Sequence, residues 1–399
     1  MSSAKDLLET LQKFDPQSLD GDEPERIRVR EKLTEVLRQV QSPWDVSWEH
    51  NWVSMATVSA GKTLVDAGVF EKWNEAGWKP QTTDELAALT GASADLLRRL
   101  LRHVAANHLL REVGRDTYAA TPWAKAFVSY PFLAGTYGGF NHAQTEVNNK
   151  LPAYLASIRY QHPSDPKDCN FQFTHGAGSG PWQLLSTNPQ LGADFNQAME
   201  SHSRFNLHSW TSLYPTQSIV QAAKERGTGG VLVVDVGGNK GYDLEKFRLV
   251  HSEDCTSESL VLEELPEVLK DAPELHSAIK PVAYDFFTEQ SVKGARAYLM
   301  HNVIHDWDDD TAVKILTNVT AGFEKGYSRL LLHESIVDEV KPKAKVTASD
   351  MSMLCWFASK ERTETEWNTL LTRAGLRLLK IWRPELIDTA ECIIEAELA

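Results

Sequence analysis

One segment of the 399-residue chain carries groups suited to proton transfer: His301-Asn302-Val303-Ile304-His305-Asp306-Trp307, which closes the apolar run Ala297-Tyr298-Leu299-Met300. A histidine at a strand end beside a ligand cleft suits general-base work, because its pKa lies near working pH. Such a base needs an acceptor on its second ring nitrogen. Glu334, in LLLHESIV, ends the next apolar strand, and Glu361 follows in the loop ASKERTETEW. His305 is therefore the candidate base, with Glu334 and Glu361 as orienting carboxylates and one titration limb near neutrality. His301 and His333 are expected to be satisfied core histidines. Two histidines four apart also fit a zinc reading, but HNVIH lacks the glutamate of HExxH and no third ligand accompanies it, so no metal is expected. Asp308-Asp309-Asp310 is expected to cap the helix that follows.

A second group lies earlier. Val234-Asp235-Val236-Gly237-Gly238-Asn239-Lys240-Gly241 runs from an apolar strand through glycines into a helix. Ligands of open α/β sheets bind at such carboxyl ends, and Gly237, Gly238 and Gly241 let a ligand approach the backbone. The spacing is neither GxGxxG nor a phosphate-binding GK[ST] loop. Glu264, at the end of the second strand, can accept both ribose hydroxyls, and Asp285, at the end of the third, can accept an adenine amino group. Acids without a phosphate-binding lysine suit a cationic adenosine ligand lacking phosphates. S-adenosylmethionine (SAM) has both properties.

These groups need a scaffold. From residue 229 onward, apolar strands alternate with helices, the pattern of a doubly wound parallel sheet, and LRLLKIW with AECIIEAEL reads as an edge hairpin. Residues 131–228 read as helices and loops dense in aromatics, suited to an apolar pocket. Residues 1–130 read as helical: an amphipathic helix over 22–41, then a winged-helix pattern in which Thr83 caps one helix, Gly91 ends it, and Leu96, Leu97, Leu100, Leu101 and Val104 line the next. Arg98, Arg99 and Arg102 form the ordinary polar face of that helix, so a dimerisation role is expected, not DNA binding.

Composition narrows the function. There are 55 acidic against 41 basic residues, a net charge of −14, which disfavours nucleic acid. No apolar run is long enough for a membrane span, and MSSAKDLLETLQKF has no signal-peptide core. Four scattered cysteines suit a reducing, cytoplasmic location.

VVDVGGNKG, EELPEVL, YDFF, HDW, HES and KERTETEW, in this order, resemble the plant-type and fungal SAM-dependent O-methyltransferases of the caffeate, flavonoid and sterigmatocystin types. The match runs from about Val231 to Glu366, with the N-terminal region similar to that family's dimerisation and substrate part. The resemblance implies a Rossmann-like SAM-binding sheet with a winged-helix dimerisation domain, a homodimer, and a small phenolic or polyketide-type substrate. It implies that Gly237 meets the methionine part of SAM, that Glu264 takes the ribose position usually held by aspartate, and that Asp285 and Phe286 hold the adenine. It makes Ser203 a further SAM contact, and Phe195, Met199 and Asp306 substrate-lining residues. Asn239 replaces the third glycine of the family's turn, and His301 stands where plant members often carry lysine. The implied reaction is methyl transfer to a phenolic or enolic oxygen. The alternative is a pericyclase or dehydratase of the leporin type that keeps SAM bound; a retained base at His305 favours methylation.

Overall fold

The structure is a computed structural model that describes residues 4–205, 209–227, 230–270, 274–384 and 391–399. In the N-terminal part, Thr82 caps the Thr83–Thr90 helix through a capping box with Glu85, one residue before the cap expected from the sequence. Gly91, at φ 74°, ends that helix, and Ser93 caps Ala94–Ala106. Leu97, Leu101 and Val104 are buried on this second helix, whereas Leu96 is exposed, so its apolar stripe is narrower than the sequence suggested. Strands β1 (Gln81–Thr82), β2 (Leu110–Gly114) and β3 (Thr117–Ala120) complete the winged-helix unit in the order β1-β3-β2. Leu64, Phe70, Trp73, Leu86, Tyr118 and Phe127 fill its core.

Before this unit runs the Glu23–Val40 helix, capped by Asp22, with only Ile27 buried and Leu33, Leu37 and Val40 exposed. Trp44, Trp48 and Trp52 follow, touching one another and also exposed.

The near-continuous apolar runs after residue 230 become β4 (Val233–Val236), β5 (Leu260–Glu264), β6 (Ile279–Ala283), β7 (Ala297–His301), β8 (Arg329–Val337), β9 (Arg362–Thr363), β10 (Leu376–Trp382) and β11 (Glu391–Leu398). The order is β10-β11-β8-β7-β4-β5-β6, with β9 beside β8. All pairs are parallel except β8/β11 and β10/β11, so the expected edge hairpin is present. Two apolar layers sandwich the sheet, one built on Tyr298, Met300, Leu332 and Trp367, the other on Trp210, Phe247, Leu262 and Leu331. The strand order reverses between the parallel neighbours β4 and β7, the position at whose carboxyl ends open α/β sheets bind ligands.

Between the two parts lie helices including Gly139–Ser157 and Pro189–Phe205. The sequence suggests one helix from Asn188 to Tyr214; among the described residues it is a Pro189–Phe205 helix and a separate short Trp210–Leu213 helix. Among the described residues no helix is long and apolar enough to cross a membrane.

Candidate active site

Strand alternation decides where the motif residues go. His333 and Glu334 are neighbours on β8, so their side chains leave opposite faces of the sheet. Glu334 joins His305, on the one-turn helix Ile304–Asp306 that follows β7, while His333 joins His301 on the other face. The two histidines of HNVIH therefore serve different groups.

His305 is 12% exposed, and its Nδ1 lies 2.9 Å from Glu361 Oε1, which also accepts from Ser349 Oγ at 2.6 Å. Its Nε2 has no hydrogen bond among the described residues and faces Asp306 Oδ1 at 3.6 Å. Glu334 Oε2 stands 3.9 Å from Nδ1, while Oε1 accepts from the backbone N–H of Val303 and Ile304 at 3.1 and 2.8 Å. The two carboxylates thus divide the work expected of both. Glu361 orients the imidazole, and Glu334 pins the turn that carries it.

Residues not singled out from the sequence complete the clamp. Arg362, fully buried, donates to Ile304 O and Trp307 O and pairs with Asp309 at 2.8 Å. Ser359 Oγ donates to His305 O and Trp307 O, and Asp350 accepts from Glu361 N at 2.9 Å. Asp308 caps the Asp309–Thr320 helix as expected, accepting from Asp310 N and Thr311 N.

Burial opposes charge on His305, but Glu334, Asp306 and Glu361 outweigh it and raise its pKa to about 10. Asp306 is pushed up to about 7, chiefly by burial, and burial also raises Glu334. The titration limb is therefore expected on the alkaline side and not near neutrality, because three carboxylates surround one buried imidazole.

At the cofactor end, Gly237 follows β4 with φ 75° and Gly241 opens the next helix with φ 76°. A side chain on Gly237 would stand 3.1 Å from Val303; one on Gly238 would meet the Asp235 carboxylate and lie 2.6 Å from Leu262. Glu264, half-buried at the end of β5, accepts from Asn239 N at 3.1 Å and Leu265 N at 2.7 Å, and burial raises its pKa. Asp285, exposed beyond β6, accepts from Phe287 N at 2.9 Å. Phe286 meets Trp307 edge-on at 6.0 Å and Phe287 meets it at 5.0 Å, making an aromatic wall beside Asp285. Asp235, the acid of the glycine-turn motif, is buried with neither carboxylate oxygen hydrogen-bonded among the described residues.

The substrate-lining expectations fall on the Pro189–Phe205 helix. Phe195 and Met199, one turn apart, are half-buried. Phe195 packs edge-on against Phe140 at 5.5 Å and Trp182 at 6.1 Å. Phe140 touches Trp356, and Trp182 touches Phe357, at the end of the helix leading to Ser359 and Glu361. The aromatic wall is thus covalently close to the base's clamp. The side chain of Ser203 lies outside the described residues.

The family model described as the O-methyltransferase domain matches residues 154–377, and that of the O-methyltransferase dimerisation domain matches residues 53–130. The chain belongs to the O-methyltransferase family. Among relatives of this O-methyltransferase, O-methyltransferase mfmE of Annulohypoxylon moriforme is 34% identical over 397 residues, covering 100% of this chain and 96% of that protein. O-methyltransferase asqD of Emericella nidulans is 36% identical over 319 residues, covering 79% and 81%. The structure of OxaC with SAH and oxaline aligns at TM-score 0.79 and 25% identity, covering 98% of this chain and 96% of OxaC. LepI in complex with SAM aligns at TM-score 0.89 over the full length of both chains, but at 22% identity that likeness concerns the fold alone.

The enzyme is a SAM-dependent O-methyltransferase with a Rossmann-like catalytic sheet and an N-terminal helical dimerisation domain. The ends of β4, β5 and β6 fit the cofactor on chemical grounds. A backbone cradle that tolerates no side chain at Gly238 lies beside the buried Asp235 oxygens, which call for a donor-bearing ligand. The strand-end residues Glu264 and Asp285 offer acceptors to hydroxyl and amino groups.

Proposed function

We propose that this enzyme methylates a phenolic or enolic hydroxyl of a small aromatic, polyketide-type secondary metabolite, with His305 as general base. The observation that carries this reading is the division of the His305 ring: Nδ1 is held by Glu361, while Nε2 has no hydrogen bond among the described residues. When bound, SAM supplies an electrophilic methyl group on a sulfonium. Gly237, Gly238 and Gly241 would cradle it, with Glu264 at the ribose, Asp285 and Phe286 at the adenine, and Ser203 as a further contact. Phe195, Met199 and Asp306 would line the acceptor's side. His305 Nε2 takes the hydroxyl proton, and Glu361 steadies the imidazolium that results. The aromatic wall excludes water, which favours a step in which opposite charges vanish.

The raised pKa of His305 places its neutral, proton-accepting form on the alkaline side, so the general-base step should speed up as pH rises towards about 10. OxaC, 25% identical, was solved in complex with SAH and oxaline, which supports a small-molecule acceptor here.

The same reading includes a three-part chain: a dimerisation part over 1–130, a substrate-pocket and connecting part over 131–228, and the catalytic sheet over 229–399. It also includes a cytosolic homodimer joined through the N-terminal part: the dimerisation-domain match over 53–130 supports the dimer, the exposed Leu33, Leu37, Trp44 and Trp48 offer it further apolar surface, and four free cysteines suit a reducing compartment. The test is mass spectrometry of candidate phenols and enols incubated with enzyme and SAM. A product one methyl heavier is expected. A rearranged product without the methyl would replace this reading with the pericyclic alternative.

A further inference from the structure

On the sheet face opposite Glu334, a second polar group has no part in the reaction described above. Register pairs His301 of β7 with His333 of β8, and Glu391 of β11 with Ser335, so the three side chains share one face. The rings of His301 and His333 stack at 3.9 Å with 25° between their planes. Glu391 Oε2 lies 3.4 Å from His333 Nε2 and 3.7 Å from His301 Nε2. The candidate ligand atoms of these three residues all fall within 4.8 Å of one another. His202, from the Pro189–Phe205 helix, brings its Nε2 to the other oxygen of Glu391.

Two features point to a ligand. First, His333 is 2% exposed, yet neither of its ring nitrogens has a hydrogen-bond partner among the described residues, and His301 Nε2 also lacks one. Buried polar atoms left so keep a desolvation cost with nothing to offset it, and a bound ion would remove that cost. Second, His301 Nδ1 lies 2.6 Å from Asp243 Oδ2. That carboxylate on the far nitrogen orients the ring with Nε2 towards Glu391, the arrangement usual behind a metal-ligating histidine. The other histidine–carboxylate set, around His305, differs: its Nδ1 is already hydrogen-bonded, and one Glu334 oxygen holds two backbone N–H groups.

We propose that His301, His333 and Glu391, with His202 as fourth ligand, bind one divalent ion of the zinc class. Imidazole nitrogens with a single carboxylate and no thiolate suit zinc, cobalt(II) or nickel(II) better than magnesium or calcium. Half-exposed His202 leaves a path for the ion to enter. The ion's role is positional. It would join β7, β8 and β11 to the helix that carries Phe195 and Met199, fixing one wall of the acceptor pocket against the sheet. The spacing of His301 and His305 concealed this set, because its members come from four separated segments.

The test is titration of full-length, chelator-stripped enzyme with cobalt(II), followed by visible absorption and metal analysis, with SAM affinity and far-UV circular dichroism measured on every protein. Expected are one cobalt per chain, ligand-field bands of a four-coordinate site, and a raised Tm. His333→Leu, an apolar replacement for a buried ring, should abolish uptake, and Asp243→Asn should weaken it about 10–100-fold. If His333→Leu fails to fold, half-exposed His202→Ala decides, with weakened uptake expected. Wild-type enzyme that takes up no cobalt overturns the proposal, as does unchanged uptake in folded His333→Leu or His202→Ala, or uptake that is lost in His305→Ala. SAM affinity reports separately on the methyltransferase reading.

Discussion

Glu361→Gln isolates the partner of the base. The carboxylate meets His305 Nδ1 at 2.9 Å and also accepts from Ser349. Glutamine keeps the volume and one acceptor oxygen but removes the charge. A hydrogen bond to a charged group contributes about 1.5–3 kcal/mol, and one pKa unit corresponds to about 1.4 kcal/mol. The imidazolium should therefore lose about one to two units of stabilisation from the raised value of about 10. The sign is fixed: removing a negative neighbour disfavours the charged ring, so its pKa falls and the limb of kcat against pH moves to lower pH. The plateau should also fall, by roughly 10²-fold, because a carboxamide can hold the ring in the wrong tautomer and cannot neutralise the imidazolium. The assay is methyl transfer from labelled SAM between about pH 6 and 10.5, with SAM affinity measured by calorimetry. A limb that stays in place in Glu361→Gln, with the protein folded, would refute the assignment of Glu361 to His305.

Four further outcomes follow from the same geometry. Glu334→Leu should lower Tm by several degrees, since two buried backbone N–H groups lose their acceptor at about 1–3 kcal/mol each; an unchanged Tm would contradict the pinning role. Gly238→Ala should weaken SAM binding by about tenfold or more, because its methyl group would collide with Asp235 and Leu262; calorimetry showing native affinity would count against the backbone cradle. SAM binding should survive removal of divalent ions, as the acceptors at the ends of β5 and β6 need none; binding that vanishes with EDTA would oppose that reading. Light scattering should give about twice the chain mass of 44.7 kDa, and Trp44→Asp with Trp48→Asp should shift it towards one chain; a wild-type monomer at micromolar concentration would be the contrary result.

Much of the scaffold was legible because its signals are local. The apolar runs at Val233, Leu260, Ala297 and Arg329 are strands with continuous burial, and such runs alternating with helices have few other folds. The glycine turn after β4 and the acid after β5 stand at fixed distances along the chain. The division of labour between Glu334 and Glu361 was not legible, since it depends on which oxygen lies within 3 Å of Nδ1. Arg362 and Ser359 were hidden for the same reason: in ASKERTETEW nothing separates a buried arginine that clamps two carbonyls from a surface one. Leu96 continues the leucine spacing of its helix yet points to solvent. The alkaline shift of His305 needs Asp306, Glu334 and Glu361 together in space, two of them distant along the chain.

The central claim, methyl transfer with His305 as base, is tested most directly by following labelled methyl from SAM into an acidic phenol or enol with the wild-type enzyme and His305→Ala side by side. The expected result is a labelled product from the wild type and a rate lower by about 10²–10⁴-fold in the variant, with SAM affinity within a few-fold. Equal rates in the two proteins, with SAM bound equally well, would contradict it.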